Sequence, residues 1–287
     1  MISLKALIAG LGLAAAVTTA QAADRTLTIG TNNWAENIAV SHMWQQLLAE
    51  KGYDVKLDAV AKSILFSGLA TGDIDVSLEI WLPNGDAQYL KPYQQDIDVH
   101  EAWYEGAQDE LVVPSYVDGV TSIADLKARA DDFDYQGRPT IFGIEPGAAI
   151  ADETDDAIKR YDLSFRQLNS SEAAMLASLK EAYRQQQPIA VTLWQPHWAY
   201  AQYDLKALKD PEGAYGGGDD IKWMSHQGFA ADHPDVSAML DAWHMSHAQL
   251  ADLMLSIEKA GDPDRGVKQW VADHRDLVDQ WLNAKAD

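Results

Sequence analysis

The chain has 287 residues, 44 acidic against 22 basic, no cysteine and a formal net charge of −22 at pH 7. Such a surface repels phosphate, which excludes nucleic acid as a partner and disfavours anionic membranes. Without cysteine there is no disulfide, thiolate metal site or lipidated thiol, and the length allows one large domain or two of ordinary size.

The first predicted element is a leader. Met1 to Lys5 carries one positive charge, Ala6 to Val17 is apolar, and Ala20-Gln21-Ala22 is a small-x-small cleavage site. The apolar run is too short to span a bilayer, so residues 1–22 read as a cleaved secretory signal peptide. The mature chain is expected to start near Ala23 and to lie free in the periplasm. It is expected to be neither a lipoprotein nor inserted in the membrane, since no other long apolar stretch and no cysteine exist.

Arg25 to Ile29 reads as a buried strand. Ile38, Met43, Trp44, Leu47 and Leu48 give 37–51 a helical period, ended by Gly52. Tyr53–Val60 reads as a second strand, Ser63–Thr71 as a short helix ending at Gly72, and Ile74–Trp81 as a third strand. Strands alternating with helices at this spacing predict a mainly parallel sheet with helices on both faces. The pattern then repeats. Glu110–Pro114 is strand-like, and Ser122 caps a helix with Asp125 at its third position. Thr140–Ile144, Phe165–Leu168 and Pro188–Trp194 read as strands. Ala149–Tyr161 and Ser171–Arg184 read as helices, the latter capped by Ser170 or Ser171. Gly213 to Gly218 reads as a surface loop, and 237–243, 247–258 and 263–283 as helices. The expected architecture is α/β with two lobes, a type II-like binding-protein fold. One lobe comprises 23–112 plus 213–287, the other 113–212. Two crossings between lobes make a hinge that closes a cleft around a ligand.

Open parallel sheets bind ligands beyond the carboxyl ends of their strands. Trp34, Trp81 and Trp194 each follow a strand-like run at such an end. Three indole faces converging there would suit a methylated ammonium ion, which has no N–H to donate and is best held by aromatic rings. Trp44, Trp103, Trp223, Trp243, Trp270 and Trp281 read as ordinary packing residues. Phe142-Gly-Ile-Glu-Pro-Gly-Ala-Ala149 lies between a strand and a helix, where backbone N–H groups of Gly143 and Ile144 could hold an anion. An aromatic pocket facing an anion pocket describes the two ends of a betaine. Glu79, two residues before Trp81, and Glu36, two after Trp34, are either solvated carboxylates or negative charge beside a bound cation. His197, beside Trp194, orients that loop or touches ligand. His244 and His247 are three apart on a helix but lack a third ligand, so no metal and no cofactor are expected. Nucleophile-elbow, phosphate-loop and dinucleotide motifs are missing, which weighs against an enzyme.

With these motifs in view, the chain resembles the substrate-binding proteins of ABC importers for glycine betaine, choline and related quaternary amines. Asn33-Trp-Ala-Glu36, Trp81-Leu-Pro-Asn84, Gly143-Ile-Glu-Pro-Gly147 and Trp194-Gln-Pro-His-Trp198 carry the likeness. The resemblance implies that Trp34, Trp81 and Trp194 form an aromatic box and that Gly143 and Ile144 bind the ligand carboxylate. It also implies a permease and ATPase complex as partners, acting with a monomeric binding protein. Several betaine binders carry a histidine where this chain has Asp86, which would repel a carboxylate. Choline binders carry a tyrosine near the place of Asp109, and its loss argues against a choline specialist, while Glu36 and Asp86 keep choline open. Glycine betaine is the expected ligand. Choline, carnitine, proline betaine, trimethylamine N-oxide and dimethylsulfoniopropionate remain alternatives. Readings from other classes are a periplasmic enzyme acting on quaternary amines and a sensory protein that presents its ligand to a receptor.

Overall fold

The computed structural model describes residues 25–285, so the leader read at 1–22 lies outside the described residues. Ten strands run in chain order: β1 (Thr26–Thr31), β2 (Asp54–Ala59), β3 (Val76–Leu82), β4 (Ile97–Pro114), β5 (Asp134–Tyr135), β6 (Arg138–Gly143), β7 (Arg166–Asn169), β8 (Ala190–Gln195), β9 (Leu205–Ala207) and β10 (Asp219–His226). They lie in the order 2-1-3-10-4-8-6-5, with β7 beside β6 and β9 beside β4. The helices are α1 (Ala35–Glu50), α2 (Lys62–Thr71), α3 (Ala87–Leu90), α4 (Ala149–Arg160), α5 (Glu172–Gln185), α6 (Ala199–Gln202), α7 (Phe229–Asp232), α8 (Pro234–Asp241), α9 (His247–Ala260), α10 (Pro263–Asp273) and α11 (Arg275–Leu282).

Local chemistry sets most of the boundaries. Helix α1 buries Ala39, Val40, Met43, Trp44, Leu47 and Leu48 on one stripe. Helix α2 stops at Gly72, whose φ of 77° is the left-handed conformation that glycine adopts without a Cβ clash. Ser171 Oγ accepts from Ala174 N to cap α5. Ser122 and Asp125 form the expected capping box, but the stretch they open, Ile123–Phe133, is 3-10 helical. The helix expected over 263–283 is two helices, broken at His274, whose ring bonds the Trp270 carbonyl.

The sheet is mixed. Pairs β1·β2, β1·β3, β6·β7 and β6·β8 are parallel, as strand–helix alternation predicts. The ladders through β4 and β10 are antiparallel. The chain leaves the first lobe along β4 and returns along β10, so these two neighbours must run in opposite directions. Strand β4 is 18 residues long. It pairs with β10 up to Ala107 and with β8 from Gln108 onward, so it belongs to both lobes. Three register shifts along β10 let it twist between β3 and β4.

The main core is continuous through both lobes, and a smaller cluster of Leu65, Phe66, Leu69, Ile74, Ile80, Ile97 and Met224 lies under α2. Trp44, Trp103, Trp223, Trp243, Trp270 and Trp281 are all core residues, exposed by 3% or less. No helix among the described residues is long and apolar enough to cross a membrane.

Candidate functional site

Seven of the nine residues singled out from sequence meet around one cavity: Trp34, Glu36, Glu79, Trp81, Asp86, Ile144 and Trp194. The free volume inside it is only about 30 Å³, so the walls stand close together. Gly143 and His197 are not among the lining residues. Gly143 sits on β6 and its carbonyl accepts from Ser170 N and Oγ. His197 is 2% exposed and packs edge-on against Trp194 at 5.0 Å. Its Nδ1 accepts from Ala199 N, which assigns the proton to Nε2, the atom 3.0 Å from Glu172 Oε1. Glu172 Oε2 in turn accepts from Ala35 N, at the start of α1. His197 thus holds the Trp194 loop and, through Glu172, the entry to α1.

The three cavity tryptophans are 3–7% exposed. Each donates its indole N–H to a carboxylate: Trp34 to Glu145 at 2.7 Å, Trp81 to Glu79 at 3.0 Å, and Trp194 to Glu36 at 2.7 Å. These bonds fix the plane of each ring. The Trp34 and Trp194 bonds run between the lobes, from α1 to the loop after β6 and from β8 back to α1. Tyr89 Oη adds a fourth link with Ala35–Glu172, donating to the Gly147 carbonyl at 2.8 Å.

Trp81 is held by its own turn. Its N–H donates to Asp86 Oδ2 and its carbonyl accepts from Asp86 N. The following loop rests on β10, where the Asp219 carboxylate accepts from Asn84 N and Gly85 N. Asn84 Nδ2 also donates to the carbonyls of Gly217 and Gly218. The glycine-rich loop expected on the surface therefore exposes its glycines yet clamps the Trp81 loop. The peptide bonds Leu82–Pro83 and Gln195–Pro196 are cis.

Four carboxylates line the cavity, Glu36, Glu79, Asp86 and Asp109, against one ammonium, Lys62. Asp109 sits on β4 opposite Trp194 of β8. Burial pushes Glu36 well above the usual carboxylate range, and the charges of Glu79 and Glu172 push it further. Burial also raises Glu79 to about 7, against the pull of Lys62, and raises Asp109 to about 7, against the pull of Glu153 and Lys62. Glu153, on α4 behind Asp109, is pushed up to about 10 by burial and by the Asp109 charge. Desolvated carboxylates with too few counter-charges are stabilised by any cation placed among them. Asp86 is answered already: Lys62 Nζ lies 2.6 Å from its Oδ1. The repulsion of a ligand carboxylate expected of Asp86 is therefore offset by an ammonium that came from another part of the chain.

Lys62, Glu145, Glu153 and Glu172 were not singled out from sequence. Glu145 lay inside the recognised Gly143–Gly147 stretch, but nothing local marks it as the acceptor for an indole 111 residues away. The one local sign of Lys62 is a lysine opening a helix, where the backbone dipole disfavours it. No group of His, Asp and Glu among the described residues is placed to hold a metal ion.

Comparisons with known proteins identify the family. A protein 34% identical over 166 residues is the glycine betaine/carnitine transport binding protein of Listeria monocytogenes; the match covers 57% of this chain and 55% of that protein's length. The lactococcal OpuAC structure, closed and complexed with glycine betaine, superimposes with a TM-score of 0.83 at 31% identity, covering 91% of this chain and all of that one. The glycine betaine and L-proline transporter binding protein of Borrelia burgdorferi also superimposes at 0.83 and 31% identity, over 89% of this chain and 96% of that one. The family model for OpuAC, described as the substrate binding domain of ABC-type glycine betaine transport systems, matches residues 25–273, and this chain belongs to that family.

Proposed function

We propose that this chain is the periplasmic substrate-binding protein of an ABC importer, that it captures a betaine-type quaternary ammonium osmolyte, foremost glycine betaine, and that it delivers the ligand to a permease and ATPase complex as a monomer. The lobes, 23–112 with 213–287 and 113–212, close around the ligand. Trp34, Trp81 and Trp194 hold the methylated cation on their faces, and Glu36, Glu79 and Asp109 supply the field. Each indole–cation contact contributes about 0.5–2 kcal/mol, most when desolvated. Ile144 N–H and the start of α4 face the other end of the ligand, while Gly143 and His197 support that wall from behind. No covalent step is required, and the protein acts by binding alone.

The single observation that carries this reading is three buried indoles around one cavity, each with its N–H already bound to a carboxylate, which suits a ligand that cannot donate hydrogen bonds. Calorimetric titration of the mature protein with glycine betaine tests it. Saturable 1:1 binding at micromolar concentration or tighter is expected, and no heat with glycine betaine, choline, carnitine or dimethylsulfoniopropionate would sink it. NMR of the bound ligand should show no turnover.

A further inference from the structure

Lys62 occupies a costly place. It opens α2, a helix with no acidic residue in its first turn, so its charge faces the positive end of the backbone dipole. It is also 7% exposed, and a buried ammonium must be paired to be tolerated. Its partners are Asp86 Oδ1 at 2.6 Å and the ring of Trp34, whose centroid is 4.6 Å from Nζ. Burial acts to lower its pKa, but the neighbouring carboxylates of Asp86 and Glu79 outweigh burial and hold it above its ordinary value. The ammonium therefore stays charged. It has three N–H donors, and Asp86 takes one.

The charges of the cavity are also sorted by side. Lys62, Trp34 and Ala148 line both the cavity and a second hollow beside it, whereas Glu36, Glu79, Asp109 and Trp194 line the cavity only; the one carboxylate of that hollow, Glu145, accepts from the Trp34 indole. A zwitterion fits this polarity with its methylated cation toward Glu36, Glu79 and Asp109 and its carboxylate toward Lys62 and the first turn of α4. A cation without a carboxylate brings no group to the two Lys62 N–H donors that Asp86 leaves free.

We infer that Lys62, aimed by Asp86 and steadied on Trp34, binds the ligand's carboxylate and makes the site select zwitterionic betaines over choline; this rests on the quaternary-ammonium reading above. The test is calorimetry with glycine betaine and choline on the wild type, on Lys62→Met, and on the charge-balanced Lys62→Met/Asp86→Asn double variant. The wild type should prefer glycine betaine. The double variant should lose about 10- to 100-fold in glycine betaine affinity, the worth of one charge-assisted hydrogen bond, with choline within about threefold of wild type by the same reasoning. Lys62→Met alone should weaken glycine betaine at least as much, and leave choline unchanged or tighter. Glycine betaine methyl ester gives the same comparison from the ligand side without altering the fold, and should bind the wild type at least about tenfold more weakly than glycine betaine. Equal losses for both ligands, an unaffected glycine betaine affinity, an ester that binds as well as the acid, or a wild type that prefers choline would each overturn the assignment while leaving the quaternary-ammonium reading intact. A wild type that binds neither ligand would instead remove that reading, and this inference with it.

Discussion

The protein holds two groups of buried tryptophans that burial alone cannot tell apart. In the core of the first lobe, Trp103 stacks on Trp243 at 4.2 Å, and Trp44 lies against Trp243 at 5.6 Å and Trp281 at 6.5 Å. In the cavity, Trp34, Trp81 and Trp194 are exposed by only 3–7%. The groups differ at the indole nitrogen. Among the core rings, Trp103 donates to the Leu78 carbonyl and Trp223 to Asp241, while Trp44, Trp243 and Trp270 have no acceptor among the described residues. All three cavity rings donate to carboxylates, two of them across the lobes. The core rings spend their faces on one another or on histidines, Trp223 on His100 and Trp270 on His274, and so hold the lobe together. The cavity rings are fixed by their edges, and the Trp34 ring also carries the Lys62 ammonium at 4.6 Å. Trp223 shows that a carboxylate anchor alone does not make a binding ring, so it is anchoring together with a place on the cavity wall that sets the second group apart.

The sharpest way to break this contrast is to truncate one ring of each kind. Trp81→Ala should weaken glycine betaine binding by about a hundredfold or more, since it deletes an aromatic anchor from a desolvated site, with a far-ultraviolet spectrum like wild type. Trp103→Ala should do the reverse. A large core truncation costs about 3–5 kcal/mol, or on the order of 10 °C in melting temperature for a chain of this size, with affinity near wild type wherever the protein stays folded. If both variants lost stability and binding in the same proportion, the division would be wrong.

Trp194→Phe asks whether edge anchoring matters. It keeps a ring face but removes the N–H that reaches Glu36 across the lobes. Loss of this buried hydrogen bond predicts a decrease of about tenfold in affinity, read by titration. Unchanged affinity would mean that the ring is held by packing alone.

The cavity carboxylates give a pH signature that the core rings cannot. Glu79 and Asp109 titrate at about 7 in the folded protein, raised mainly by burial. Folding therefore favours their protonated forms. The stability they contribute is full below their unfolded values of about 4 and is lost as pH rises through about 7. The ligand-free melting temperature should fall from pH 6 to 8, while affinity for choline, which has no carboxyl group of its own, should rise roughly three- to tenfold as the carboxylates ionise. Calorimetry in two buffers of different ionisation enthalpy should detect proton release on binding. A pH-independent affinity without proton release would place these groups outside the cation's field.

The smallest effect concerns a cap remote from the cavity. Ser246 and Gln249 close the capping box of α9. Ser246→Ala should cost about 1 kcal/mol, a few degrees at most in a thermal melt, with glycine betaine affinity unchanged. A change in affinity would show that the C-terminal helices communicate with the cleft.

Sequence by itself determined the local pieces. Periodic apolar stripes placed α1, α4, α5 and α9 to within a few residues, because the helix that buries a stripe is set by the spacing within it. Gly72, Ser122 and Ser171 marked ends because capping involves only near neighbours. The tryptophans at the ends of β1, β3 and β8 were legible, since alternation locates a strand and its last residue together. Strand β10 went unread: Asp219–His226 is polar at both ends and lies in the middle of the sheet only because the chain returns there from the second lobe. The length of β4 was missed for the same reason, as its two halves are stabilised by different partners. What only the tertiary structure decided is the charge pattern of the cavity. Lys62 meets Asp86 from 24 residues away, Trp34 meets Glu145 from 111, and Trp194 meets Glu36 from 158. Local periodicity reports which face of an element is buried. It does not report which buried faces meet, and the strength of an ion pair or indole–carboxylate bond depends on that distance and on the water excluded around it.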